Sequence, residues 1–205
     1  GATLYCIPSS IQNYPEEKYE RDLNVIFSAA RRQSVQSLPS RVKSLNYVNN
    51  ILGVIEANYA GVEEGIMLTM EGYVGEATAD NVFFVKNGVV KTPALHHALL
   101  AGITRESILT IAQEAGYKTE EGTYLTFDMY TADEAWLTGT GADLVPIVAI
   151  DSRQIGSGQP GPVFKDLRGR WGEFVSRAAN HSLVPSKESV LALYPARSNG
   201  VPVGV

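Results

Sequence analysis

Residues 66–92 read Ile66-Met-Leu-Thr-Met-Glu-Gly-Tyr-Val-Gly-Glu-Ala-Thr-Ala-Asp-Asn-Val-Phe-Phe-Val-Lys-Asn-Gly-Val-Val-Lys-Thr92. Short apolar and β-branched runs broken by turn residues are strand signals. Residues 66–70 form one strand, Glu71-Gly72 turns the chain into a second over 73–78, and 81–85 form a third. Asn87-Gly88 is the strongest short hairpin signal, because a type I′ turn needs positive φ at both central residues. Residues 89–92 return from it, and Pro93 stops the run. The stretch reads as an antiparallel meander.

Working outward, residues 23–28 make a short β-rich strand. Over 45–59, Leu45, Val48, Ile51, Leu52 and Ile55 fall at helical spacing, so an amphipathic helix is expected to end near Gly61. Downstream, Thr104 is placed to cap a helix whose face carries Ile108, Ile111, Ala112 and Ala115, with Gly116 in the left-handed C-terminal position. Residues 117–119 lead into a strand, and 126–132 read as a short helix capped by Thr126. Strands follow at 134–138 and 145–150, then a turn and a return at 154–155. A Gly/Pro loop over 156–162 precedes a helix at 163–179, with Phe164, Leu167, Trp171, Phe174 and Val175 on its apolar side. Antiparallel runs broken by helices place the chain in the α+β class. The expected layout is a leading segment over 1–35, which is loop with one short strand before residue 23, a main domain over 36–180 and an unassigned tail over 181–205.

The chain has 205 residues, 44% hydrophobic and 19% charged, enough for a sizeable core. Net charge is -5, and the longest basic cluster is Arg31-Arg32, which excludes a nucleic-acid stripe. Cys6 is the single cysteine, so no internal disulfide forms and a reducing compartment is expected, the cytoplasm or an organelle. No apolar run reaches membrane-spanning length, and the first residues lack the pattern of a signal peptide.

The residues that can carry chemistry are few. Lys43 precedes the first helical run, and Tyr47 follows it by four. A lysine amine in a dry pocket forms Schiff bases with carbonyl groups; taken alone, Lys43 reads as an ordinary surface lysine. Glu76 lies among small and apolar strand residues, where an acid needs a partner. Gly139-Thr140-Gly141 after a strand, and Gly102-Ile103-Thr104 at a helix start, can each aim N–H groups and a hydroxyl at a phosphate. Each is equally well a turn or a cap. His96, His97 and His181 have neither a Gly-x-Ser-x-Gly elbow nor a third ligand at metal spacing, so they read as loop histidines and no metal is expected.

Taken together, Lys43-Ser-Leu-Asn-Tyr-Val-Asn-Asn, Gly72-Tyr-Val-Gly-Glu-Ala-Thr-Ala-Asp-Asn-Val-Phe, Gly102-Ile-Thr-Arg105, Tyr130-Thr-Ala-Asp-Glu134 and Thr138-Gly-Thr-Gly-Ala-Asp-Leu-Val-Pro146 resemble the class IV aminotransferases, nearest to their branched-chain branch. The resemblance runs from about residue 23 to 174. It implies the large C-terminal domain of the fold type IV pyridoxal-phosphate enzymes, working as a homodimer on an amino acid and a 2-oxo acid. It implies that Lys43 holds pyridoxal 5′-phosphate covalently and shuttles a proton, that Tyr47 meets the ring hydroxyl, and that Glu76 pairs with the ring nitrogen. Ile103, Thr104 and Thr140 would hold the phosphate, and the N–H groups of Gly141 and Ala142 the substrate carboxylate. D-Amino-acid aminotransferases and aminodeoxychorismate lyases share these motifs; Asn46-Tyr47 with Asn49-Asn50 favours the branched-chain type. The family's N-terminal domain has no match in this sequence. A separate chain carrying that domain, or a non-catalytic fragment, is therefore a rival expectation.

Overall fold

The computed structural model describes the backbone of residues 23–180 and the side chains of 23–177. The expectations for residues 1–22, including Cys6, and for the tail with His181 lie outside the described residues. Among the described residues nine strands make one sheet: β1 (Leu23–Ser28), β2 (Glu64–Leu68), β3 (Val74–Ala77), β4 (Asn81–Lys86), β5 (Val89–Pro93), β6 (Lys118–Gly122), β7 (Glu134–Gly139), β8 (Asp143–Ile150) and β9 (Arg153–Gln154). The described helices are α1 (Val48–Ala60), α2 (Ile103–Glu114), α3 (Thr126–Tyr130) and α4 (Pro162–Asn180). By contact the chain divides into two compact units, residues 1–169 and 170–205. In the second, Trp171 stacks on Phe174 with ring centroids 5.8 Å apart.

The α+β class stands, but the meander over 66–92 does not. Its two hairpins form, β2 with β3 and β4 with β5, and the second turns on Asn87 and Gly88 at φ 52° and 72°. The strand order is β3-β2-β1-β8-β7-β4-β5-β6, with β9 on β8. β3 and β4 are thus consecutive in sequence yet lie far apart in the sheet. The turn between them is tight, with the Ala77 N–H donating to the Asp80 carbonyl at 2.8 Å. The sheet therefore has to curl until its β3 edge meets β4. Long-range pairing of this kind leaves no mark on local periodicity. Nor do the parallel pairs: β1 lies parallel to both β2 and β8, and β5 parallel to β6. Residues 23–28, read from the sequence as part of the leading segment, form a strand inside this sheet.

Burial follows from the curl. Leu23, Val25, Ile66, Val82, Phe84, Leu137, Val145 and Ile147 pack into one apolar cluster, where the Phe84 ring meets Tyr124 edge-on. On the other side of β4 and β7, Phe83 stacks on Trp136 at 5.6 Å, and Phe164 adjoins Trp136. β4 is buried from Asn81 to Val85, which is why its sequence does not alternate.

α1 corrects a second expectation. It begins at Val48 and docks on β1 and β2, but its apolar row faces outward. Leu45, ahead of the helix, is 99% exposed, and Val48, Ile51, Leu52 and Ile55 are all exposed. The buried residues are Gly53 and Ala57. A Cβ on Gly53 would stand 2.9 Å from Thr78 Cγ2, and one on Gly65 of β2 would stand 3.1 Å from the Gly53 carbonyl. The helix comes close because its small face, not its large one, meets the sheet. Gly53→Val is therefore expected to lower stability by about 1–3 kcal/mol through overpacking, read as a lower thermal midpoint; an unchanged midpoint would refute this packing.

Two caps also differ from expectation. The N-cap of α2 is Gly102, and Thr104 is buried in the first turn. The N-cap of α3 is Leu125, whose N–H donates to Asp128 at 2.8 Å. In both, a threonine that could cap lies one or two residues inside the helix. Gly116 does hold the left-handed position after α2, at φ 85°.

Candidate active site

Lys43 belongs neither to a strand nor to a helix. It lies in the loop from β1 to α1, is exposed, and lines a cleft with Arg32, Tyr47, Asn50, Glu76 and Thr78. Side-chain bonds fix that loop. Asn49 Nδ2 donates to the Arg31 carbonyl at 2.8 Å, Asn50 Nδ2 to the Thr78 carbonyl at 2.5 Å, and Ser40 Oγ to the Ala98 carbonyl at 2.8 Å. Tyr47 is the N-cap residue of α1 and 42% exposed. Partial burial raises the pKa of its phenol, and the nearby charge of Glu76 adds to this. The ring therefore keeps its proton at neutral pH and can donate it in a hydrogen bond.

Glu76, on β3, is only 7% exposed. Arg32 Nη2 stands 2.6 Å from Oε1, while Asn81 Nδ2 and the Leu100 N–H both donate to Oε2 at 2.9 Å. Burial nevertheless raises its pKa to about 7, against the lowering effects of Arg32, the Leu100 N–H and the Lys43 ammonium. Desolvation wins because the carboxylate has lost most of its water. A further cation entering the cleft would tip Glu76 back to its charged form.

Arg32 is the residue that reading the sequence passed over as half of a basic pair. It is buried, with Nε on the Ala98 carbonyl at 2.9 Å and Nη2 on Ser40 Oγ at 3.0 Å as well as on Glu76. Its Nη1 is buried without a hydrogen-bond partner among the described residues. An isolated acid in a small-residue strand was the available signal, since a buried carboxylate calls for a cation.

Ile103, Thr104, Thr140, Gly141 and Ala142 do not line the cleft that holds Lys43, Tyr47 and Glu76. They stand at the same end of the sheet. Thr140, Gly141 and Ala142 form a three-residue loop between β7 and β8, closed by the Gly139–Asp143 pair with Asp143 at φ 53°. A Cβ on Gly139 would lie 1.9 Å from Asp80 Oδ1, so this loop abuts the turn that follows Glu76. Ile103 and Thr104 open α2, where the first helical N–H groups lack intrahelical partners. His96 and His97 lie in the loop before α2; His97 is buried, with Nε2 2.7 Å from Thr123 Oγ1. No group of metal-binding side chains occurs among the described residues. No described helix is long and apolar enough to cross a membrane.

A lysine amine, a phenol and a buried, arginine-paired acid thus line one cleft of a curled mixed sheet, and an amine so placed can react with a carbonyl group. A family model described as amino-transferase class IV matches residues 1–150, and the chain belongs to that family. A branched-chain-amino-acid aminotransferase of Pseudomonas aeruginosa is 41% identical over 162 residues, covering 78% of this chain and 52% of that protein. The crystal structure of the Escherichia coli branched-chain amino acid aminotransferase aligns with TM-score 0.76 at 33% identity, covering 78% of this chain and 53% of that one. The Thermobaculum terrenum branched-chain amino acid aminotransferase in PLP form aligns with TM-score 0.76 at 35% identity, over 79% and 53%. The chain thus spans about half the length of these relatives.

Proposed function

We propose that this protein transaminates branched-chain L-amino acids, with 2-oxoglutarate as acceptor and pyridoxal 5′-phosphate as cofactor. The observation that carries the reading is the meeting of Lys43, Tyr47 and Glu76 on one cleft that the buried Arg32 also lines. The donor set fits the cofactor. An amine answers its aldehyde, a phenol its ring hydroxyl and a carboxylate its ring nitrogen, while the α2 N-terminus at Ile103 and Thr104, with Thr140, answers its phosphate. The unpartnered Arg32 Nη1 fits a polar ligand in the cleft. When bound, the cofactor supplies a sink for the electrons left at the substrate Cα.

The protein's own residues do the rest. Lys43 Nζ would hold the cofactor; once the substrate amine has taken its place there, the freed lysine amine would accept the proton from the substrate Cα and give it back as an acid. Glu76, charged when it faces a ring cation, would keep a ring nitrogen protonated, and Tyr47 would orient the ring by a hydrogen bond. The N–H groups of Gly141 and Ala142 receive the substrate carboxylate. The exposed apolar row of α1 supports a homodimer, or a separate chain bearing the family's N-terminal domain, as the element that covers it. A reducing compartment, cytoplasmic or within an organelle, fits the single cysteine.

Substrate profiling tests the reading. L-Leucine, L-isoleucine and L-valine are expected to be turned over with 2-oxoglutarate. Turnover of D-alanine but not L-leucine would overturn it in favour of a D-amino-acid aminotransferase, and conversion of aminodeoxychorismate alone would assign the lyase.

A further inference from the structure

Asn81 opens β4, where its backbone pairs with Thr138 of β7. Its side-chain Nδ2 donates to Glu76 Oε2 at 2.9 Å and to the Leu100 carbonyl at 3.0 Å. The Leu100 N–H donates to the same Glu76 oxygen at 2.9 Å. Both amide hydrogens thus meet acceptors, which fixes the orientation of the amide: turned over, Oδ1 would face two acceptors instead. Oδ1 lies against the N-cap residue of α2, Gly102. A Cβ built on Gly102 would stand 2.1 Å from it. Gly102 has φ -70° and ψ 136°, an extended conformation open to any residue. The glycine is therefore required for space, not for backbone freedom. Its own N–H donates to the Leu100 carbonyl at 2.9 Å, so Glu76, Asn81, Leu100 and Gly102 form one connected network.

We propose that Asn81 is a positioning residue, which fixes the separation between the Glu76 carboxylate and the first turn of α2 and so aligns a ligand that spans the two. No backbone ladder does this, because β3 and β4 are not neighbours in the sheet. The side chain of Asn81 ties the acid on β3 to the segment that leads into α2. The inference rests on the proposed function, in which Glu76 meets the ring nitrogen and the α2 N-terminus meets the phosphate of one cofactor.

The test measures pyridoxal-phosphate binding by fluorescence titration of the intact protein. The variants are Asn81→Ala, Gly102→Ala and the double substitution. The pH at which Glu76 titrates is followed by carbon NMR in the cofactor-free protein. Each single variant is expected to weaken binding roughly tenfold or more. The double variant is expected to bind as Asn81→Ala does, because removing Oδ1 clears the space for the new Cβ. Glu76 is expected to titrate at higher pH in Asn81→Ala, since its charged form loses a donor; a role in stability alone would leave that pH unmoved. Asn81→Asp, which keeps the shape but removes both donors, serves if Asn81→Ala does not fold, and weaker binding in it supports the proposal. Wild-type affinity in the Asn81 variants, additive losses in the double variant, or an unmoved Glu76 titration would overturn it. A wild type that takes up no pyridoxal phosphate overturns the proposed function instead, and the Glu76 titration then still decides whether Asn81 holds that carboxylate.

Discussion

Lys43→Ala is expected to reduce the proposed transamination roughly a thousandfold or more, with the thermal midpoint unchanged. The two halves of that expectation come from different observations. Lys43 is exposed and lies in a loop, so truncating it removes little packing, and surface changes of this kind stay within about 0.5 kcal/mol. Its amine nevertheless faces the same cleft as Tyr47 and Glu76, and among the described residues no other lysine lines that cleft to replace it. Lys43→Arg sharpens the test. It keeps the positive charge that helps Glu76 ionise, but a guanidinium does not give up its proton near neutral pH and cannot act as nucleophile or base. Both variants should lose the visible absorbance of the proposed lysine-bound cofactor together with the proposed activity on L-leucine. Activity retained in Lys43→Arg would show that the lysine acts only through its charge, and activity retained in Lys43→Ala would remove it from the chemistry.

How much of this was legible in the sequence depends on the range of the interactions involved. Strand β1 falls on the six residues expected, and the Asn87-Gly88 turn has the dihedrals its residues demand, because both are set locally. The order of strands was not legible. Parallel neighbours such as β1 and β2 are joined through a loop and a helix, and pairing across such a distance has no local pattern. α1 misled for a related reason. Its apolar row is real, but helical spacing says only that a stripe exists, not that the stripe faces this chain's own sheet. The small residues Gly53 and Ala57 decided the docking face. At the site, Lys43, Tyr47 and Glu76 could be named from their motifs. Arg32 and Asn81 could not, since their importance lies in long-range bonds to Glu76, made from the loop after β1 and, across the curl of the sheet, from β4.

Glu76 carries the second large effect, and two substitutions separate its charge from its packing. Glu76→Gln preserves shape and is expected to cut activity roughly a hundredfold or more, because a neutral amide cannot hold a ring nitrogen in its protonated state. Glu76→Ala is expected to cost about 3–5 kcal/mol of stability as well, since it leaves Arg32 as a buried cation without its carboxylate. The pH dependence has a definite sign. Burial raises the carboxyl pKa from 4.5 to about 7, so the folded protein holds this proton more tightly than the unfolded chain does. The stabilising contribution is fully present below pH 4.5 and is lost as pH rises through about 7. Stability of the cofactor-free protein should therefore fall across that window, and Glu76→Gln should flatten the fall. Binding a ligand with a ring cation favours the charged carboxylate, so the same slope should shrink or reverse in the loaded protein. Denaturant melts between pH 4 and 8, with and without pyridoxal phosphate, read both slopes. A slope that persists in Glu76→Gln would assign the titration to another group, and wild-type turnover in that variant would leave the ring nitrogen without the partner proposed for it.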